Sequence, residues 1–166
     1  LTEPISWVQL TDSGDKIIVG MGSGIASMEV NRELDTFKWL SREFPGDPSL
    51  RLNDAGVDKF GRIWTGSMDL HDTIKQEGAL ALYSLATASW TIVDSDYCIP
   101  NGPVFDRDCT FALHSDSLKG LVFRYHIDPS SGSIYRRSVW LTVPAGAGLP
   151  DGMTFDSEDH VWIAHW

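Results

Sequence analysis

Hydrophobic positions along the chain fall into short runs that Asp, Gly or Ser interrupts every few residues. Four of these runs align on an aspartate at spacings of 46, 48 and 50 residues, and the fifth residue after each aspartate is apolar. The four segments are DSGDKIIVG from Asp12, DKFGRIWTG from Asp58, DRDCTFALH from Asp106 and DSEDHVWIA from Asp156. A polar turn before the apolar residue is typical of a tight hairpin, in which the aspartate can hydrogen-bond to its own turn. The pattern predicts strands that begin at Ile17, Ile63, Phe111 and Val161.

Two further strand-like runs separate successive copies, as in ALYSL and SWTIVDSDY, and they are rich in β-branched and aromatic residues. Each repeat thus holds four strands. A four-stranded unit that recurs about every 40 to 50 residues is typical of a β-propeller blade. The sequence therefore predicts an all-β propeller, with a β-sandwich as the structural alternative.

Aromatic positions add two expectations. The segment NRELDTFKWL comes closest to a helical pattern, but Phe37 and Trp39 alternate as strand residues do, which predicts a hairpin. Trp64 and Trp162 each stand six residues after their aspartate, and this shared position predicts that they pack between neighbouring blades.

The repeats divide the chain at approximately 1–46, 47–97, 98–146 and a partial copy at 147–166, which is about three and a half blades. The last copy reaches Trp166 within its second strand. Propellers close with about 4 to 8 blades, so we expect this chain to be a fragment of a longer protein. The open blade edges of such a fragment predict self-association.

Composition narrows the possible partners. Of the 166 residues, 42% are hydrophobic and 22% are charged, which is the range of soluble globular proteins. Acidic residues outnumber basic ones 23 to 13, and the formal charge of −10 argues against nucleic acid and anionic membranes as partners.

No apolar run approaches the ~20 residues of a membrane helix, and we expect a cytoplasmic protein. The spacing of Cys98 and Cys109 matches neither a disulfide framework nor a metal-binding pair, which predicts two free thiols.

A second set of aligned positions lies five residues before each aspartate, at Trp7, Asn53, Asn101 and Asp151. The first strand of each propeller blade lines the central channel, so two amides and one carboxylate would face one another at its mouth. Oxygen donors without thiolates suit Ca²⁺, Mg²⁺ or Mn²⁺, although a site with a carboxylate can also hold Zn²⁺. Arg51 would point the same way by strand alternation and could hold a substrate carboxylate or hydroxyl. Taken singly, each Asn or Asp is better explained as a turn residue than as a ligand, but matching offsets in three consecutive repeats favour a joint function. A solvated loop position explains Arg51 equally well.

Four segments, in order over nearly the whole chain, resemble the SMP-30, gluconolactonase and luciferin-regenerating enzyme family, which includes regucalcin. They are RLNDAGVDKFGRIWTGSM, GALALYSL, PNGPVFD and LPDGMTFDSEDHVWIA. The resemblance implies a six-bladed propeller that hydrolyses sugar lactones with one divalent metal ion, Ca²⁺ or Zn²⁺, with Mn²⁺ and Mg²⁺ as alternatives. It also implies that Asn101 and Asp151 bind the metal, that Asp151 is the catalytic general base, and that Arg51 and Asn53 bind the lactone.

Some positions depart from the family pattern. The acidic metal ligand of the family's first blade has no counterpart here, His71 stands near an acidic substrate contact of some members, and Pro103 replaces an aliphatic residue. Three functions therefore stay open. The chain is an incomplete piece of a lactone hydrolase, a calcium-binding or regulatory propeller without catalysis, or a structural interaction propeller in which Asn53, Asn101 and Asp151 are turn residues.

Overall fold

The computed structural model describes residues 3–30 and 37–166, and the strand-rich sequence forms fourteen β-strands there. They are β1 (Ile5–Leu10), β2 (Lys16–Met21), β3 (Gly24–Glu29), β4 (Phe37–Ser41), β5 (Leu50–Val57), β6 (Ile63–Asp69), β7 (Gly78–Ser84), β8 (Ser89–Tyr97), β9 (Pro100–Phe105), β10 (Phe111–Asp116), β11 (Leu121–Ile127), β12 (Ile134–Thr142), β13 (Pro150–Phe155) and β14 (Val161–His165). These ranges contain no helix. The described residues therefore include no helix that is long and apolar enough to cross a membrane. The hairpin predicted for NRELDTFKWL falls largely on residues 31–36, which lie outside the described residues.

Successive strands pair antiparallel into four sheets. Three sheets contain four strands each, namely β1 to β4, β5 to β8 and β9 to β12, and the fourth contains β13 and β14. The first strands of the four sheets, β1, β5, β9 and β13, contact one another in sequence order. This arrangement is three complete blades and half of a fourth in a β-propeller, with the first strands at its centre.

The hairpins between the first and second strands follow the aspartate pattern. Strands begin at the predicted Ile63, Phe111 and Val161. In the first blade β2 begins one residue earlier than predicted, because Lys16 already pairs with Glu29 of β3.

Three of the four recurrent aspartates, Asp58, Asp106 and Asp156, close their own turns, as the sequence predicts, whereas the Asp12 carboxylate forms no hydrogen bond with the residues that the structure describes. One carboxylate oxygen of Asp58 accepts two backbone N–H hydrogen bonds from its turn, at 2.9 and 3.0 Å, and Asp156 accepts two at 2.9 Å. Asp106 accepts one at 2.7 Å from the first residue of β10. The second oxygen of Asp58 accepts the indole N–H of Trp64 at 3.0 Å, and that of Asp156 accepts the indole of Trp162 at 2.9 Å.

Buried side chains between neighbouring blades form the core. One cluster joins the first and second blades and includes Trp7 and Ile63. Another joins the second and third blades, where Trp64 packs edge-on against Phe105 with ring centroids 5.5 Å apart. Burying a large apolar side chain contributes about 1.5–3 kcal/mol, so the contacts between blades carry much of the stability. Trp64 therefore confirms the predicted packing between blades, whereas Trp162 is exposed in this chain.

Candidate active site

A β-bulge recurs at one level of the inner strands. In β5 the bulge holds Asn53 and Asp54, and in β13 it holds Asp151 and Gly152, each pair facing a single residue of the next strand. In β9 the bulge directly follows Asn101. Bulges bend a strand and change the direction of its side chains, and they occur often beside active sites. In each of three blades a bulge therefore lies at the aligned polar residue or directly after it.

Five charged or amide side chains line one cavity of about 630 Å³ where these strands meet. They are Arg51, Asn53, Asp54, Asn101 and Asp151. Four of the five are the residues that the sequence singled out, and the structure brings all four together. A larger cavity of about 860 Å³ extends along the same strands, but Asp54 is the one charged residue in its described lining. The chemistry therefore concentrates in the smaller cavity.

Asn53 links the second and third blades. Its Nδ2 donates to the carbonyl oxygen of Pro100 at 2.8 Å and to Oδ1 of Asn101 at 3.2 Å. Its Oδ1 accepts a hydrogen bond from Nη1 of Arg51 at 3.1 Å, as expected if both side chains point the same way. The amide of Asn53 thus holds the arginine and the second amide in one network.

The Arg51 guanidinium is half-buried and forms no ion pair with any residue in the described ranges. Burial lowers the pKa of Arg51 from its ordinary value because the charged form loses solvation. Nη1 also donates to the carbonyl oxygen of Leu52 at 2.9 Å, which fixes its orientation. A positioned guanidinium without a protein counter-charge is suited to binding oxygen-rich substrate groups.

Asp54 is a site residue that the sequence analysis did not single out. Oδ2 accepts the backbone N–H of Gly102 in the third blade at 2.7 Å, and Oδ1 accepts that of Ala55 at 2.8 Å. Burial raises the pKa of Asp54, these two hydrogen bonds oppose the rise, and the nearby Asp151 carboxylate adds to it. No repeat position marks this residue, because the contact with Gly102 exists only between assembled blades.

Asp151 is half-buried, and its carboxylate forms no hydrogen bond or ion pair with any residue that the structure describes. Asn101 is 5% exposed and lines the cavity, and its Oδ1 accepts a hydrogen bond from Nδ2 of Asn53 at 3.2 Å. An unpaired carboxylate beside an amide oxygen is a donor set that fits a hard divalent cation. Residues 3–30 and 37–166 contain no group of three or more His, Cys, Asp or Glu placed to hold a metal ion. The residues present fit such an ion as part of a larger ligand set.

Two other aligned or notable positions lie outside the cavity. The indole N–H of Trp7, at the position that corresponds to Asn53 in the first blade, donates to Oγ1 of Thr65 at 3.0 Å inside the core. His71 is exposed and its backbone N–H binds Asp69 at 2.8 Å, whereas Thr73 of the same loop lines the cavity. Hydrophobic packing therefore accounts for the tryptophan, and loop geometry decides which residue reaches the site.

Three comparisons relate this geometry to known proteins. The profile of the SMP-30/Gluconolactonase/LRE-like region matches residues 1–166. Pentonolactonase XacC of Haloferax volcanii is 34% identical over 149 residues, which are 87% of this chain and 49% of that protein. Regucalcin of Gallus gallus is 28% identical over 165 residues, which are 97% of this chain and 54% of that protein.

A solved luciferin-regenerating enzyme has the same fold, with a TM-score of 0.89 and 26% identity over 100% of this chain and 57% of that chain. This similarity confirms the predicted fold class. The chain spans about half the length of the curated relatives that it matches.

Proposed function

The chain belongs to the SMP-30/gluconolactonase/LRE-like family, and from that premise we propose that it carries most of the active site of a metal-dependent sugar lactone hydrolase. The observation that supports this proposal most is the convergence of Arg51, Asn53, Asn101 and Asp151 on one cavity. The blade that supplies a further acidic ligand would be a separate part of the complete enzyme. A neutral sugar lactone is the substrate class that would suit a cavity lined by one guanidinium group, two amides and carboxylates.

In this proposal Asn101 and Asp151 hold the divalent cation, Ca²⁺ or Zn²⁺, with Mn²⁺ and Mg²⁺ as alternatives. When bound, the cation would act as a Lewis acid toward the lactone carbonyl. Arg51 and Asn53 would bind the hydroxyl and ring oxygens of the lactone and orient its ester group toward Asp151. A carboxylate oxygen of Asp151, which has no protein partner in the described chain, would accept a proton from the attacking water.

The test is hydrolysis of a panel of sugar lactones by this chain and by any longer gene product that contains it, with added Ca²⁺, Zn²⁺ or Mn²⁺. We expect Asp151→Ala to reduce kcat by at least the roughly 10²–10⁴-fold that general-base catalysis contributes. The matched control is Asp156→Ala, which removes an aspartate five residues away in the same blade and outside the cavity. Equal activity of Asp151→Ala and the unsubstituted protein would rule out the assigned role.

A calcium-binding or regulatory propeller is the second candidate, and the similarity to regucalcin favours it. Both functions use Asn101 and Asp151, so binding of a metal ion alone does not distinguish them. Tight Ca²⁺ binding without turnover of any lactone would favour the regulatory function. Metal-dependent turnover would favour the hydrolase.

We further propose that the open side of the fourth sheet pairs with another blade, supplied by a second copy or by further chain. Trp162 is 65% exposed there, and β14 has no partner strand beyond it in the described chain. Exposed sheet edges of this kind promote pairing with other chains. A strictly monomeric, well-folded 18.4 kDa species in light scattering would contradict pairing between copies.

A cytoplasmic location is also part of the proposal. Cys98 and Cys109 are both buried free thiols, as the sequence predicts, and free thiols are typical of reducing compartments. Cell fractionation with an antibody against the chain would test the location.

A further inference from the structure

Ser117 is a buried side chain to which neither the repeat pattern nor the family resemblance assigns a role. It directly follows β10 in the third blade and is 0% exposed. Its hydroxyl lies between the two strands that carry the candidate metal ligands. It touches Asn101 on one side and Pro150, the residue before Asp151, on the other.

Two short hydrogen bonds define this contact. Nδ2 of Asn101 donates to Oγ of Ser117 at 2.7 Å, and Oγ of Ser117 donates to the carbonyl oxygen of Pro150 at 2.6 Å. A carbonyl oxygen can only accept, so the single hydroxyl proton of Ser117 is committed to Pro150. Towards Asn101 the hydroxyl therefore acts as an acceptor.

This commitment decides which end of the Asn101 amide faces Ser117 and which end faces Asn53. If the amide were turned by half a rotation, its Oδ1 would meet the lone pairs of Ser117, and a buried NH₂ group would lose its partner. The NH₂ group is thus held against Ser117, and Oδ1 is left for Asn53, whose Nδ2 donates to it at 3.2 Å and which lines the cavity with Asn101. An amide oxygen can bind a cation, whereas an amide NH₂ cannot.

We propose that Ser117 is a positioning residue that fixes the amide of Asn101 with its oxygen toward the site and joins it to the strand of Asp151. The inference rests on the proposed metal site. Groups that orient a metal ligand through its other hydrogen-bonding atom contribute strongly to metal affinity in proteins.

The second blade shows that this arrangement is not a general requirement of the fold. The position 48 residues earlier is Asp69, whose carboxylate accepts hydrogen bonds from Ser49 and from backbone N–H groups of its own loop. Asp69 does not line the 630 Å³ cavity. The second blade therefore lacks the bridge that Ser117 forms in the third.

The first readout is Ca²⁺ binding by calorimetry, with CaCl₂ alone, to the purified chain. We expect Ser117→Ala to weaken Ca²⁺ binding by roughly 10- to 100-fold. The matched control is Ser67→Ala, because Ser67 is equally buried in the second blade and its hydroxyl contacts Ala79, away from the cavity. We expect the Ser67→Ala protein to bind Ca²⁺ as the unsubstituted chain does.

The second readout is independent of metal and of activity. In the metal-free chain labelled with ¹⁵N-asparagine, the side-chain NH₂ of Asn101 should exchange slowly with solvent, and Ser117→Ala should accelerate that exchange. If Ser117→Ala does not fold, Ser117→Thr and Ser117→Val replace it, because these variants have equal size and only the first keeps the hydroxyl. Unchanged exchange in the variant without the hydroxyl would overturn the inference.

The two readouts separate this inference from the proposed function. Failure of the unsubstituted chain and of any longer product to bind Ca²⁺, Zn²⁺ or Mn²⁺ would contradict the metal site. The exchange rate of the Asn101 amide would still decide the positioning role of Ser117.

Discussion

The hairpins at the start of the second and fourth blades have nearly the same local structure and opposite surroundings. In both, an aspartate accepts backbone hydrogen bonds from its turn and an indole N–H six residues on, from Trp64 at 3.0 Å and from Trp162 at 2.9 Å. Yet Trp64 is 1% exposed and Trp162 is 65% exposed. The indole of Trp64 packs against Phe105 of the next blade, and the corresponding side of the fourth sheet is open.

The comparison shows that the repeat encodes the turn and not its burial. Local hydrogen bonds between an aspartate and its own hairpin need only about seven consecutive residues, so they form in both blades. Burial of the tryptophan needs a following blade. Of the two hairpins, only that of the second blade has a following blade packed against it in the described chain. Equivalent substitutions in the two hairpins should therefore have unequal effects.

The largest difference in the free energy of unfolding is expected between substitutions of the two aspartates. Asp58→Ala removes the acceptor of four hydrogen bonds, among them a 2.5 Å ion pair with Arg62, and leaves buried donors unpaired. Losing one partner of a buried ion pair costs roughly 3–5 kcal/mol of the free energy of unfolding. Asp156→Ala should cost far less, because water replaces the lost partners. Urea unfolding followed by circular dichroism measures both, and equal losses would contradict the role of burial.

A smaller difference is expected for the tryptophans. Trp64→Phe removes a buried indole N–H from Asp58 and should lower the free energy of unfolding by about 1–3 kcal/mol. Trp162→Phe alters an exposed side chain, so its free energy of unfolding should stay within about 0.5 kcal/mol of that of the unsubstituted chain.

Acrylamide quenching provides the check on the tryptophan pair. Removing Trp162 should reduce the fraction of fluorescence that acrylamide quenches, and removing Trp64 should raise it. A further blade bound to the fourth sheet would make the two variants alike.

The smallest expected effect is the response of the Asp156–Trp162 hydrogen bond to low pH. The indole N–H of Trp162 and the backbone N–H of His160 lower the pKa of Asp156 from 3.8 to about 2. A lowered pKa in the folded state means that this contribution to stability is present above pH about 4 and is lost as the pH falls toward 2. The indole N–H resonance of Trp162 should therefore keep its position down to about pH 3 and shift below it. Movement centred near pH 4 would contradict the hydrogen bond.

Particular residues show how far sequence reasoning reaches into the site. Arg51, Asn53, Asn101 and Asp151 could be found because fixed offsets from a recurrent aspartate repeat in successive blades. Their convergence on one cavity agrees with that prediction, and their roles remain proposals. Asp54 gave no such signal, since its partner Gly102 lies 48 residues away in another blade.

The sequence alone determined the blade repeat, the aspartate-closed hairpins and the aligned polar positions, because these depend on turn chemistry and strand alternation within short segments. Only the tertiary structure decided the shared level of the bulges, the contact of Asp54 with Gly102 and the bridge of Ser117 between Asn101 and Pro150. The bulges depend on strand pairing within each sheet, and the last two features join residues of different blades. Their geometry follows from how whole sheets pack, and no local pattern of residues carries that information.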